Sequence, residues 1–336
     1  MTIPSLDVHS CLLGCLPPAR KRIRLQAPSD LAPTSFHHPK MTSPQRFLIV
    51  VGLLLLASAA FHGIVLLAAT SDSWEGPLSW RKPILFGFSF GITAITIAFV
   101  TSAIRLGTAA GWTLLGSLGV ASLLETALIS MQTWRGVPSH FNFSSLFDIS
   151  VFIAMGVLVT IIALALLVLT VLTFTSLRPV PPSLRWAIRA GMVLLIAAQV
   201  LGVLIITTGV EPAVTGDDAA VFGPDGVVIG AAGVLKSPHG IAIHAIQVLP
   251  VLALLALLTR WKEQRRMLAA GAAIAGYTLI VVVSTVQAYT GQATFALSWP
   301  TFIAAVLGVV LLVVPAVAIV ASISRGHIRA RTRLSR

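Results

Sequence analysis

Residues 131–142 read MQTWRGVPSHFN and gather Gln132, Arg135, Ser139, His140 and Asn142 in one short run between two nearly unbroken apolar stretches. Other side chains able to do chemistry sit at matching distances along the chain. Glu125 lies seven residues before Gln132, which puts both on one helical stripe, and Asp148 follows the run closely. The stretch SPHGIAIHAIQVLP (237–250) carries His239, His244 and Gln247, and His62 stands within an earlier apolar segment. Glu125, Asp148, His140 and His239 are of the types that supply a general acid, a base or a divalent-ion ligand, and His62 and His244 of the type that binds haem or a metal. Each also has a plainer role. Asp148 suits the first turn of a helix, His62 suits a hydrogen-bonded core histidine, and Arg135 and His140 suit anchors among headgroups. Taken together they predict one polar pocket built from Glu125, Gln132, Arg135, His140, Asn142, Asp148, His239, His244 and Gln247, covered by Phe141, Phe143 and Phe147.

The elements that must position these residues follow from composition. Of 336 residues 56% are hydrophobic and 10% charged, whereas a soluble domain carries about 25% charged residues; the mean hydropathy is +0.94. A spanning helix needs about 20 mostly apolar residues. Eight such windows occur, at 47–70, 84–104, 110–133, 146–174, 186–208, 239–259, 268–290 and 299–323. They are too long and too evenly apolar for barrel strands, and backbone polar groups in lipid must pair within the chain. The expected fold is therefore an all-α transmembrane bundle of eight helices.

The net charge of +12 is a topology signal, not a nucleic-acid signal. Of the 23 Lys and Arg, 19 fall in the N-terminal segment, the 2–3, 4–5 and 6–7 connections and the C-terminus; the other end holds only Arg81, Lys82, Arg135 and Lys236. The positive-inside rule then predicts both termini in the cytoplasm of a bacterial plasma membrane, with the bilayer as partner and no nucleic acid. Asp72, Glu75, Glu211, Asp217, Asp218 and Asp225 occupy the outer connections. Trp74, Trp80, Trp134 and Trp299 fall at outer helix ends and Trp112, Trp186 and Trp261 at inner ends, as an interfacial aromatic belt. With a rise of 1.5 Å per residue, Glu125 and His62 lie about 12 Å below the outer end and His244 somewhat shallower. An ionisable group there costs at least about 2.5 kcal/mol, so Glu125 should face the interior, protonated or paired with His62 or Arg135.

Residues 1–45 differ in kind, with Pro, Ser and the basic patch ARKRIR (19–24); they read as a disordered cytoplasmic tail, with Met41 as an alternative start. Cys11 and Cys15 lie there, so the membrane body has no disulfide or thiolate metal site. Residues 325–336 read as a basic cytoplasmic tail. Between the tails an offset of 155 residues recurs. WRKPILFGFS (80–89) aligns with LKSPHGIAIH (235–244), and QTWRG (132–136) with QAYTG (287–291). The pattern predicts two four-helix halves, 46–178 and 179–324, which keep the same orientation because four is even.

Three stretches, WRKPILFGFSF (80–90), QTWRGVPSHFN (132–142) and SPHGIAIHAIQVLP (237–250), together resemble a family of uncharacterised multi-pass bacterial membrane proteins with a KP-x-x-F segment, an RG-x-x-SHFN loop and a PH-x-x-x-x-HA-x-Q-x-x-P helix. The matching positions are Lys82, Pro83, Phe86, Arg135, Gly136, Ser139, His140, Phe141, Asn142, Pro238, His239, His244, Gln247 and Pro250. The resemblance spans all eight helices and implies the membrane fold without an activity. Residues 208–226 retain only part of that family's glycine-rich outer loop.

Three functional readings follow. A small-molecule transporter or ligand-binding permease suits the duplication, the outer polar pocket and a proton-carrying Glu125, although no span is clearly broken; FGFSFG (86–91) is the nearest to a break. A redox protein holding haem or a metal through His62 and His244 is the second, without any CxxCH or HExxH motif. The third is an outer-face membrane enzyme using the acids and histidines, with no distinct nucleophile. Oligomeric state is open in all three.

Overall fold

The computed structural model describes residues 41–68, 74, 76, 78–223 and 226–334. The segment up to residue 40 with Cys11 and Cys15, and the acids Asp72, Glu75 and Asp225, lie outside the described residues. Eight helices are long and apolar enough to cross a membrane: α1 Ser43–Ala68, α2 Arg81–Ser102, α3 Thr108–Trp134, α4 Leu146–Thr175, α5 Pro182–Thr215, α6 Lys236–Leu257, α7 Glu263–Tyr289 and α8 Trp299–Leu334. Among the described residues there are no strands, only two isolated bridges. The chain is an all-α eight-helix membrane bundle and hence a multi-pass membrane protein, the fold expected from hydropathy.

Local chemistry sets where the helices differ from the expected windows. α5 starts at Pro182, where a missing N–H costs nothing, and ends at Gly216 with φ +81, the left-handed cap glycine adopts freely. α8 continues as helix to Leu334 through the segment expected as a tail, since its Arg, Ile and Ala residues favour helix. The expected weak point, FGFSFG, lies inside an uninterrupted α2. The interruption falls in α6, which comprises Lys236–Ile243 and Ala245–Leu257 on either side of His244. α3 contains a π turn at Trp112–Gly116.

Lipid supplies no hydrophobic drive between helices, so close backbone approach at small residues must serve. A Cβ added at Gly52 would lie 2.7 Å from the Gly91 carbonyl oxygen, and one at Gly276 would lie 2.5 Å from that of Gly308. These crossings join α1 to α2 and α7 to α8. Gly191 gives α5 the same approach to α6 at Ile246. Leu48, Ile97, Leu115, Leu166, Leu169, Met192, Leu195 and Ile246 fill the shared core.

Hydrogen bonds between connections define two ends. At one, Arg105 N–H donates to Ser176 O (2.9 Å) and Arg178 N–H to Ala103 O (2.8 Å), while Glu263 Oε1 accepts from Ser183 N–H at the start of α5 (2.8 Å). The 2–3, 4–5 and 6–7 connections therefore lie together. At the other end Trp134 Nε1–H donates to His62 Nε2 (3.2 Å) and Ala232 N–H to Gly291 O (3.0 Å). This second end carries the MQTWRGVPSHFN run. Gly276→Ala should lower stability by about 1–3 kcal/mol through overpacking, whereas Gly63→Ala, which meets no atom within 4 Å, should be neutral or stabilising. Unfolding midpoints in mixed micelles check this; equal responses would mean the α7–α8 crossing is not a tight contact.

Candidate functional site

The polar run begins where α3 stops. Gly136, at φ +67, closes α3 with Gly136 N–H bonding Thr133 O (3.0 Å) and Val137 N–H bonding Gln132 O (3.1 Å), a Schellman arrangement. At the start of α4, Ser145 is extended and its Oγ accepts the Asp148 N–H (3.1 Å). The S-x-x-D signal for this cap stands in the sequence as SLFD (145–148). Asp148 then becomes a hub. Its Oδ1 accepts from Gln132 Nε2 (2.9 Å) and Arg135 Nη1 (2.6 Å), and its Oδ2 from Ser145 Oγ (2.5 Å) and Ser144 Oγ (3.3 Å). Arg135 also donates to Gln132 Oε1 and lies 4.7 Å over the Phe147 ring. Asp148 is 4% exposed and Arg135 39%. Both carboxylate oxygens are engaged, so this trio clamps α3 to α4 and leaves no free coordinating group.

The rest of the loop turns inward. Phe141 holds φ 60, an uncommon conformation for a bulky residue. Its ring sits on α5 where a Cβ at Gly209 would lie 2.6 Å from Phe141 Cζ and 2.7 Å from Val227 Cγ2. Phe143 packs on Phe152 (5.5 Å between centroids). Of the three expected covering aromatics, Phe147 is instead 52% exposed. His140 lies 5.9 Å from Phe86 and 6.3 Å from Phe152 between ring centroids, with Ser139 Oγ at 3.0 Å from Nδ1. Burial, and then the ammonium groups of Lys82 and Lys236, hold its pKa down at about 3, so the imidazole is neutral. Asn142 Oδ1 accepts from Ser144 N–H (3.2 Å) and Oγ (2.7 Å), while its buried Nδ2 has no partner.

The remaining predicted residues separate. Glu125 is fully buried, and neither oxygen has a hydrogen-bond partner. The expected pairing with His62 or Arg135 is absent: Arg135 is bound to Asp148, and His62 Nδ1 bonds Ser58 O (2.8 Å) while Nε2 takes the Trp134 indole N–H. With both ring nitrogens engaged, His62 is a satisfied core histidine and does not fit a haem or metal ligand without breaking a bond. Among the described residues no three His, Cys, Asp or Glu side chains are placed to hold a metal ion. His239 Nδ1 bonds Ala198 O on α5 (2.7 Å). His244 occupies the interruption of α6, its ring 6.4 Å from Phe88 on α2.

Gln247 explains how α6 survives that interruption. Its backbone N–H bonds His244 O (3.2 Å) in place of Ile243 O. Its side-chain amide supplies the missing donor to Ile243 O (3.2 Å) and His244 O (3.1 Å) and accepts from Thr93 Oγ1 on α2 (3.1 Å). Tyr277 Oη–H donates to Ile241 O (2.7 Å) from α7. Gln247 is thus a backbone substitute. In the sequence Lys82 stands as an outer charge and as part of the KP-x-x-F segment and Lys236 as an outer charge; that both act on His140 is not visible from spacing.

Comparison with known proteins found no matching family model, no matching curated protein and no matching solved structure. The residues themselves therefore carry the functional argument. Asp148→Ala should cost about 2–3 kcal/mol by stranding charged hydrogen-bond partners, and Ser145→Ala about 1 kcal/mol by uncapping α4; both are read as shifts in the unfolding midpoint, and a silent Asp148→Ala would sink the hub. His140 gives a pH signature. Its folded pKa lies below the unfolded value of about 6.5, so between these values the unfolded chain binds the extra proton and stability falls as pH falls. His140→Gln should flatten the decline from pH 7 to 4, and an unchanged slope would show that His140 is protonated in the folded protein.

Proposed function

We propose that this protein is a permease that moves a small molecule across a bacterial plasma membrane, with Glu125 as the proton- or cation-exchanging group. The observation that carries the reading is the isolation of Glu125: 0% exposed, about two-thirds of the way along α3, with no partner for either oxygen. A carboxyl there costs at least about 2.5 kcal/mol, and no hydrogen bond of Glu125 offsets it. A second observation supports the same reading. α6 is interrupted at His244, inside the bundle and against α2, and interrupted helices at membrane depth are where carriers place their sites.

The proposal includes orientation and repeat. The 19 basic residues grouped on one side support cytoplasmic N and C termini, so MQTWRGVPSHFN faces outward. The 155-residue offset has local support at both motifs. Lys82 N–H to Ser79 O and Ile84 N–H to Trp80 O correspond to Ser237 N–H to Val234 O and His239 N–H to Leu235 O. Arg135, Gly136 and Val137 close α3 through the same backbone bonds with which Thr290, Gly291 and Gln292 close α7. The reading is therefore of two like-oriented four-helix halves around a central pocket.

The test is substrate-induced current across a solid-supported membrane, using the full chain in liposomes and pooled amino acids, organic acids and nucleosides. A current that Glu125→Gln reduces to background supports the permease. The absence of any wild-type current, or a current indifferent to Glu125→Gln, removes it. Glu125→Met should likewise abolish the current while raising stability by about 2–3 kcal/mol by deleting a buried carboxyl, so that in this variant loss of transport does not reflect loss of fold.

A further inference from the structure

Along α3 the buried residues change character and then change back. Leu115, Leu118 and Ala121 belong to the main core, together with Leu48, Leu166 and Leu169. Ser122, Glu125 and Thr126 follow, none more than 2% exposed. Ile129 then begins a second, smaller apolar cluster with Val151 and Met155 of α4, against which Phe86 of α2 and Phe152 of α4 pack. Three polar side chains thus stand on α3 between two apolar clusters that share no residue. The hydroxyls of this polar level keep their acceptor capacity. Ser122 Oγ–H donates to Leu118 O (2.8 Å) and Thr126 Oγ1–H to Ser122 O (2.9 Å), so each spends its one proton on the helix and leaves lone pairs unspent.

The polar level is not equidistant from the two ends of α3. Arg135, 39% exposed, stands ten residues beyond Glu125, whereas the exposed Thr108 stands seventeen before it. At 1.5 Å per residue these separations are about 15 Å and about 25 Å. What fills the two paths differs as well. Towards Thr108 lie Ala121, Leu118 and Leu115, all within the main core. Towards Arg135 the buried apolar material is one layer, Ile129 with Val151 and Met155. Polar groups stand directly above that layer. Gln132, one turn beyond Ile129, donates to Asp148, one turn before Val151. The His140 ring lies on Phe86 and Phe152 at the same end.

We propose that Glu125 exchanges with the end of the bundle that carries MQTWRGVPSHFN, along the seam between α3 and α4, and that Ile129, Val151 and Met155 are its gate, closed in this structure. The inference rests on the reading of Glu125 as the exchanging group and adds the side it serves and the barrier it serves through. An apolar layer one residue deep on α3 excludes water and ions while it is packed and admits them when its side chains part. The Gln132–Arg135–Asp148 clamp sits over the layer and fastens the two helices that form it.

The test is the access of a water-borne reagent to position 125, which does not require transport. In a background of Cys11→Ser and Cys15→Ser, the full chain with Glu125→Cys is treated with a membrane-impermeant methanethiosulfonate in membrane vesicles of both orientations. Ser298→Cys and Lys262→Cys, exposed at the two ends, calibrate the sides. Glu125→Cys should react from the Ser298 side and not from the Lys262 side. Adding Ile129→Ala should speed that reaction at least about tenfold, by removing packing from the layer. Leu118→Ala, a like truncation in the main core, should leave the rate unchanged, which separates a gate from general loosening. Met155→Ala should repeat the acceleration and serves if Ile129→Ala fails to fold. Reaction mainly from the Lys262 side, no reaction from either side even with the layer truncated, or equal acceleration by Ile129→Ala and Leu118→Ala overturns the gate. A transport current indifferent to Glu125→Gln would instead remove the permease and leave the access route in place, so the two failures are distinct.

Discussion

Hydrocarbon offers no hydrogen-bond partner, so every polar group that a span carries must be met from within the chain or by a bound ligand. The eight helices meet that constraint for the backbone, and the places where they fail organise the rest. At His244 the ladder of α6 shifts, and the side chains of Gln247 and Tyr277 take the released carbonyls. At the end of α3 a left-handed glycine redirects the chain, and the resulting loop must satisfy its own polar atoms inside the bundle. Where the accounting closes, the residue is structural. It does not close at Glu125, Asn142, Ser284 and Gln287, among others, where a buried polar atom has no partner.

The two carboxyls of the first half illustrate the distinction. Asp148 sits at a helix start, caps through Ser145, and receives an amide and a guanidinium. It has the helix N-terminus as further support. Glu125 has none of these and lies where a leucine would be favoured. The unmet carboxyl is the reason to propose Glu125 as functional, and the four bonds to Asp148 are the reason to give that residue a structural role.

Hydropathy made the fold legible because twenty apolar residues admit few solutions in lipid, and eight windows became eight helices. The site was legible only in outline. Depth counting placed His62 and Glu125 at one level but carried no azimuth, so it did not show His62 turned toward Trp134 and Ser58. Charge counting found Lys82 and Lys236 yet treated them as topology, because their meeting depends on α2 packing beside α6, a contact between residues 154 positions apart. The interruption at His244 was hidden for a different reason. Pro250 was visible, but the irregular turn falls several residues before it, where the carbonyls freed in the preceding turn need outside partners, and those partners are the side chains of Gln247, itself held by Thr93, and Tyr277. Local signals such as SLFD and QTWRG, by contrast, specify their geometry without long-range help.

Under the proposed repeat the two halves have diverged in charge more than in backbone. The α3 cap recurs at α7 bond for bond, and Gln132 has its equivalent in Gln287. The partners do not recur: the positions matching Arg135 and Asp148 hold Thr290 and Ile303. Gln287, 2% exposed, accordingly has an unpartnered Nε2, with Ser284 one turn below it also unpartnered. An ion-paired clamp thus fastens the end of α3 to the start of α4, while α7 and α8 approach most closely at mid-helix, at the Gly276–Gly308 crossing. The second half is joined instead by hydrogen bonds such as Tyr277 Oη–H to Ile241 O and Ser237 Oγ with Thr294 Oγ1, without a counterpart of the buried ion pair. One pair that joins the two halves is α2 against α6, where Thr93 Oγ1 donates to the Gln247 side-chain amide at nearly the full repeat offset.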